Sequence, residues 1–166
     1  MGLDMSLYRQ KRNRGKLSAR IRWNEATEVA YWRKANAIHK WFVDNIQDHQ
    51  DDCGEYIVPR EKLVELLETV EEVLDSTYLA KGKVRNGWRF IKIFGKLVKK
   101  YNYEDGKVVK RARIAKKLLP TSEGFFFGST DYNESYYRDL KYTRDVLREI
   151  LHEYNDKEVI IYSSSW

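Results

Sequence analysis

Cysteine is almost missing from this sequence, and so are the motifs that usually announce an enzyme. A lone Cys53 has no partner for an internal disulfide, so stability must come from packing and a reducing compartment is expected. Its acidic neighbour Asp52 disfavours a thiolate nucleophile, and Cys53 is read as structural. One cysteine with three histidines excludes the Cys-rich zinc architectures. No apolar run approaches the roughly 18–20 residues of a membrane helix. The start MGLDMSLYRQKRNR lacks the positive-then-apolar order of a secretory signal. Gly124 and Gly128 flank phenylalanines with no following Gly-Lys-Ser/Thr, so no phosphate-binding loop is present. A nucleophile elbow and a His-Glu-x-x-His motif are missing too, which argues against an NTPase, an α/β-hydrolase or a zinc protease. No cofactor is expected.

What is present is a globular composition: 166 residues, 42% hydrophobic and 34% charged, enough for one domain with a real core. Aromatics are abundant, with 5 Trp, 12 Tyr and 6 Phe. A core of this size does not easily hide them all, so some are expected on a binding surface. The charge is uneven. Residues 1–22 carry a net +6 and residues 81–117 a net +12, while the rest of the chain carries −12. A dense basic segment suits phosphate backbones or an acidic protein surface; the plainer reading is a solvated face balancing the acidic helices. In 81–117 the charges interleave with Trp88, Phe90, Phe94, Tyr101 and Tyr103, a composition that suits base stacking as well as phosphate contact.

Periodicity gives an order of elements. Leu3–Tyr8 and Lys16–Trp23 alternate as strands around a basic hairpin loop. A helix is expected from Glu25 to Asn45, with Trp32, Ala35, His39, Phe42 and Ile46 on one face. Glu55–Val58 reads as a short strand, and Pro59 opens a helix to about Leu79. Glu104-Asp105-Gly106-Lys107 is expected as the turn between strands Leu97–Tyr103 and Val108–Ile114. A buried strand around Phe125–Phe127, a helix opened by Asn133 and running to Tyr154, and a strand Glu158–Ser163 complete the chain. The mixture predicts an α+β single domain over residues 1–166: a mixed or antiparallel sheet packed by three main helices, with a basic β-hairpin-like insert over 81–117.

Three constellations could carry function. The first is the basic set Arg12, Arg14, Arg89, Lys96, Lys99, Lys100, Lys110, Arg111 and Arg113, for nucleic acid or a protein partner. The second is a ligand-binding set. Arg33, Asn36 and Lys40 at helical spacing, with Tyr31 or Trp41 to stack, could face a phosphate or base, or could salt-bridge to the acidic loop. Ser129, Thr130, Tyr132, Tyr136 and Tyr137 mark a strand-to-helix junction suited to a small anion, over which Ser163-Ser164-Ser165-Trp166 could fold. The third is the acidic stretch Asp48, Asp51, Asp52 and Glu55 with His49 and His39, which could hold a divalent ion or be a solvated loop. His39 reads as a hydrogen-bonded core histidine or as a catalytic group.

Several stretches together resemble a family of small phage and prophage proteins from Gram-positive and gut bacteria: MGLDMSLY, AYWRKANAIHKWFVDN, DDCGEY, LPTSEGFFFGSTDYNESYY and YSSSW. They cover under half of the chain, and residues 9–22 and 81–117, which carry the positive charge, fall between them. The resemblance implies action in the bacterial cytoplasm and no established catalytic residues; proteins of this context are often counter-defence factors. The expectation is therefore a non-enzymatic, anti-CRISPR-like binding protein that engages nucleic acid or a host defence effector, with no membrane partner. Sequestration of a nucleotide immune signal and a metal-dependent hydrolase are the alternatives.

Overall fold

The computed structural model describes residues 2–12 and 18–166. Among these residues the chain order is β1 (Asp4–Lys11), β2 (Thr27–Arg33), α1 (Asn36–Asn45), β3 (Glu55–Val58), α2 (Arg60–Ser76), β4 (Tyr78–Ile93), β5 (Lys96–Lys110), α3 (Arg113–Leu118), α4 (Glu134–His152) and β6 (Glu158–Ser165). Two antiparallel sheets result, a four-stranded one in the order β2-β1-β6-β3 and a two-stranded ribbon of β4 and β5. The α+β expectation holds, and every strand pairing is antiparallel.

Period-two alternation decides which face of the larger sheet is covered. Met5 and Leu7 of β1 and Ile160 and Tyr162 of β6 are buried in the main core. That core also takes Leu63, Leu66, Val70 and Val73 from α2 and Leu140, Leu147 and Ile150 from α4. Their three- and four-residue spacing is the apolar stripe of a helix lying on a sheet. Tyr162 stacks on Phe42 of α1 with ring centroids 4.0 Å apart. Fully burying each such side chain contributes on the order of 1.5–3 kcal/mol. The opposite face is covered lightly, by Ile21 against Val159 and Ile161.

Sheet and helices are also tied by a polar bond inside the core. The Trp32 indole N–H donates to Thr143 Oγ1 at 2.8 Å, and Thr143 in turn donates to the Asp139 carbonyl. Trp32 belongs to β2, which corrects the expected helix over 25–45. Thr27–Arg33 satisfies a period of two, and pairing with β1 from Asp4↔Arg33 to Arg9↔Thr27 gives its backbone partners. Lys34 then adopts φ 60, a left-handed turn that ends the strand before α1 begins.

Three further expectations are corrected. The expected strand over Lys16–Trp23 is not formed by its described residues. Its first two residues lie outside the described set, and residues 18–22 are irregular. Side chains hold that segment instead: Gln10 bonds the Arg20 carbonyl and the Arg22 N–H, while Glu55 accepts from the Ile21 N–H. The basic hairpin turns at Phe94-Gly95, not at Glu104–Lys107, because β4 and β5 pair from Tyr78↔Lys110 to Ile93↔Lys96. That long register outweighs a good local turn signal. The segment Phe125–Phe127 is a tight turn: Phe126 takes φ 66, Phe125 and Phe126 are exposed, and Phe127 alone of the three is buried. Asn133 caps α4 as expected, accepting from the N–H groups of Ser135 and Tyr136.

The core hydrogen bond makes a clean test of this packing. Thr143→Val should cost about 1–3 kcal/mol, because it strands a buried indole N–H. In a Trp32→Phe background the same change should cost much less, a coupling that a double-mutant cycle of urea denaturations measures.

Candidate functional site

The ribbon is built from residues that cross-strand pairing sorts onto two faces. Directly opposed residues share a face, so Trp88↔Tyr101, Phe90↔Lys99 and Lys92↔Leu97 lie on one side. Arg89↔Lys100, Ile91↔Val98 and Ile93↔Lys96 lie on the other. The distal part, residues 86–103, holds five basic side chains and no acid. Trp88, Phe90, Phe94, Leu97 and Tyr103 are exposed there. Lys99 sits over Trp88 and Tyr101, its Nζ 4.6 and 5.1 Å from the ring centroids. These cation–π contacts hold the ammonium beside the rings, where a stacked base and its phosphate would lie.

The ribbon's root is fixed in two ways. Val109 is buried in the main core, and its N–H donates to the Tyr132 carbonyl. Arg85 pairs with Asp131 and also stacks over Tyr101, its Cζ 4.8 Å from the ring centre. Between root and distal part, Gly82 and Gly106 face each other. A Cβ on Gly82 would come within 2.6 Å of Val108, and one on Gly106 within 2.7 Å of Val84. The stiff valines fill the space the glycines leave, so the strands stay closely packed where the ribbon leaves the body.

Asp131 lies in the 121–131 loop, and that loop is held by Asn36. The buried Asn36 side chain donates to the carbonyls of Phe127 (3.0 Å) and Ser129 (2.9 Å) and accepts from the Ser122 N–H (3.1 Å). Asn36 is thus a structural clamp, and its amide is not free to read a ligand.

Against this loop lies a cavity of about 220 Å³, lined by the corner between β2 and α1, by residues 128–131 and by the first turns of α4. Arg33, Lys34 and Arg138 reach it, with Ser135 and Asp139. Burial pushes the Asp139 carboxyl up to about 6, against the opposing pull of Arg138. On the other side of residues 128–131 is a second hollow, lined by Arg85, Trp88, Tyr101 and Thr130. One loop therefore walls both the cavity and the root of the ribbon.

The expected ligand set is only partly brought together. Arg33, Asn36 and Ser129 line the cavity, while Thr130 faces the second hollow. Tyr31 is bonded to Asp4, which pushes its phenol up, and Lys40 pairs with Asp44. Tyr132 OH accepts from the Thr121 N–H, and Tyr137 packs against the core beneath Lys141. Lys34, Ser135 and Arg138 had no sequence signal beyond their residue types.

The basic set is also divided. Arg89, Lys96, Lys99 and Lys100 are on the distal ribbon, whereas Lys110, Arg111 and Arg113 lie where it rejoins the body. Arg12 bonds the Lys157 carbonyl near the C-terminal end of α4, and Arg9 pairs with Glu153 there. The ribbon root lies at the opposite end, where Val108 bridges to Asn133. The helix between them has 19 residues, about 28 Å at 1.5 Å per residue. Among the described residues the two basic segments do not form one patch. Arg14 lies outside the described residues.

The acidic stretch does not converge, and among the described residues no three His, Cys, Asp or Glu side chains form a metal-holding group. Asp52 accepts from Tyr56 and the Gly54 N–H, contacts that hold its carboxyl low. Glu55 takes the Ile21 N–H, and His49 contacts Asp44. Asp51 accepts from His39 Nε2 and from the Trp166 indole, both at 3.0 Å. With Nε2 carrying the proton, His39 Nδ1 accepts from the Tyr162 hydroxyl at 2.7 Å. His39 is a saturated core histidine. Trp166 packs near Phe127 and Asp51, so the tail does not fold over the 129–137 junction. Cys53 is exposed. Comparison with protein-family models, curated proteins and solved structures returns no match.

Two outcomes follow from this geometry. Asn36→Ala removes three hydrogen bonds and should cost about 2–4 kcal/mol. Hydrogen exchange should then accelerate in residues 121–131 before it does in α2. Asp139→Asn should stabilise the protein at pH 8, where the wild type must hold a charge that burial disfavours. Because the folded-state value is raised, the wild type regains this stability as pH falls through about 6 toward 4. The advantage of the variant should vanish over that interval in urea denaturations run at a series of pH values.

Proposed function

We propose that this chain is a non-enzymatic binding protein that grips single-stranded nucleic acid with the distal β4–β5 ribbon. The observation that carries this reading is the ribbon itself: five cations, no acid, and Trp88, Phe90 and Tyr101 on one face with Lys99 set over two of the rings. Stacking platforms alternating with phosphate-binding cations are what a single strand requires, and they need no sequence code. The ribbon tip supports it. Phe94 is wholly exposed at φ 46, a left-handed position where Asn or Gly would sit with less strain. A bulky apolar residue kept there is accounted for by contact with a partner.

The resemblance to small phage and prophage proteins supplies the setting, a bacterial cell in which the bound nucleic acid belongs to an immune effector. In that setting the protein acts as an anti-CRISPR-like antagonist by occupying the strand that the effector must use.

The salt dependence of binding tests the reading. Each phosphate contact on a single strand contributes about 0.7 to the slope of log K against log salt. Replacing Arg89, Lys96, Lys99 and Lys100 together by Gln should therefore flatten the slope by about 3. Trp88→Ala should weaken binding to an oligothymidine by about 1–3 kcal/mol. Phe94→Asn should relieve the strained turn yet lose affinity. Fluorescence anisotropy at several salt concentrations measures all three, and an unchanged slope in the quadruple variant sinks the proposal.

A further inference from the structure

The cavity between the β2–α1 corner and α4 is lined by no residue of the ribbon, and its charges are arranged differently. Arg33, Lys34 and Arg138 converge on it from two separate parts of the chain. Lys34 and Arg138 make no ion pair among the described residues, and Arg33 reaches Asp4 only at 4.0 Å. Of the acids on its wall, Asp131 is paired with Arg85, and Asp139 sets a single carboxyl against the three cations. The first N–H groups of α4 are already taken by the Asn133 cap. The cavity wall thus carries three cations and the Ser135 hydroxyl against one unpaired carboxyl, a positive balance.

The backbone gives a second reason to read this as a built site. Lys34 holds φ 60, and Gly128 approaches it so closely that a Cβ there would lie 3.0 Å from the Lys34 Cβ. Gly or Asn would take the Lys34 conformation at lower cost. The strained corner carries a lysine that lines the cavity, and backbone strain of this kind gathers at ligand sites.

Size limits the ligand. At about 220 Å³ the cavity is below the roughly 300–1,000 Å³ of sites that enclose drug-sized molecules. It has room for a phosphate group and a small organic residue, not for a drug-sized molecule. We infer that this cavity binds the phosphate group of a small phosphomonoester, clamped by Arg33, Lys34 and Arg138 with the Ser135 hydroxyl as a further donor. A nucleotide and a sugar phosphate share that chemistry. A nucleotide's remaining part would extend past residues 128–131 toward Trp88 and Tyr101, which line the adjoining hollow.

Isothermal titration of the full chain with inorganic phosphate, ribose 5-phosphate and adenosine 5′-monophosphate tests this at low ionic strength. Saturable one-to-one binding of all three is expected. Arg138→Gln and Lys34→Gly should each weaken phosphate binding at least tenfold. Lys34→Gly relieves the left-handed strain, so its melting temperature should hold or rise and the loss cannot be ascribed to unfolding. The ribbon variant lacking Arg89, Lys96, Lys99 and Lys100 should bind phosphate as the wild type does, which separates this site from the nucleic-acid reading. Adenosine monophosphate binding more tightly than ribose 5-phosphate identifies a nucleotide site, and equal affinities identify a sugar-phosphate site. No saturable heat with any of the three, or undiminished binding in both Arg138→Gln and Lys34→Gly, overturns the inference.

Discussion

Both candidate surfaces depend on the buried side chain of Asn36. Its amide and carbonyl bond three backbone groups of the 121–131 loop, a segment with no strand or helix of its own to satisfy it. Backbone polar groups buried without partners cost about as much as a lost hydrogen bond each. The loop can therefore lie against α1 only because an amide is present where α1 begins. Neither a shorter side chain nor an apolar one of the same size could serve two carbonyls and one N–H together. From Asn36 the connection runs outward. Ser129 is held through its carbonyl, its hydroxyl accepts from the Asp131 N–H, and Asp131 pairs with Arg85 of the ribbon. A core amide thus sets where the ribbon root sits.

The ribbon needs that support. Two strands alone are marginal in water, since they bury little apolar surface and leave both edges open. Here the root is joined to the core by Val109 and Leu79, and the Gly82–Gly106 pair lets Val84 and Val108 close over the bare backbone. Beyond that point Arg85 still reaches Asp131, and the distal part is held by the β4–β5 backbone pairing, the Trp88–Phe90 edge contact along β4, centroids 5.0 Å apart, and the lysine set over the rings. Lysines along both faces also discourage edge-to-edge pairing with another copy. The same residues that would bind a partner therefore keep the unbound ribbon single and extended.

Local pattern made much of this legible. The spacing of Leu63, Leu66, Val70 and Val73, the Asn133 cap and the alternation in Glu158–Ser163 each belong to one segment, and each appears as expected. Where two patterns competed, the sequence could not choose. Trp32, Ala35 and His39 fit a helix while Thr27–Arg33 fits a strand, and the free backbone of β1 decided the matter. Glu104–Lys107 is a sound turn in isolation, yet it lies in mid-strand because the longer register satisfies more backbone groups. The site was less legible for the same reason. Arg33, Asn36 and Ser129 could be named from residue type, but the part played by Asn36 depends on a loop ninety residues away. The exposure of Lys34 to the cavity depends on a φ angle that lysine rarely adopts.

The charge map takes on a different meaning once the distances are known. Had Arg12 stood beside the ribbon, the two basic segments would have described one continuous groove. The length of α4 separates them, by about 28 Å on the helical rise, several Debye lengths at physiological salt. Solvent screens their mutual influence, so each must be judged on its own neighbours. Among the described residues of the N-terminal segment, Arg9 is met by Glu153 and Glu158, and Arg22 by Glu25. The distal ribbon has no such acids along it. Uncompensated charge beside exposed rings raises the free energy of the isolated protein slightly and lowers it on contact with an anionic partner. The distal ribbon, five cations with no acid among them, is therefore the stretch of positive charge on which the proposed binding rests.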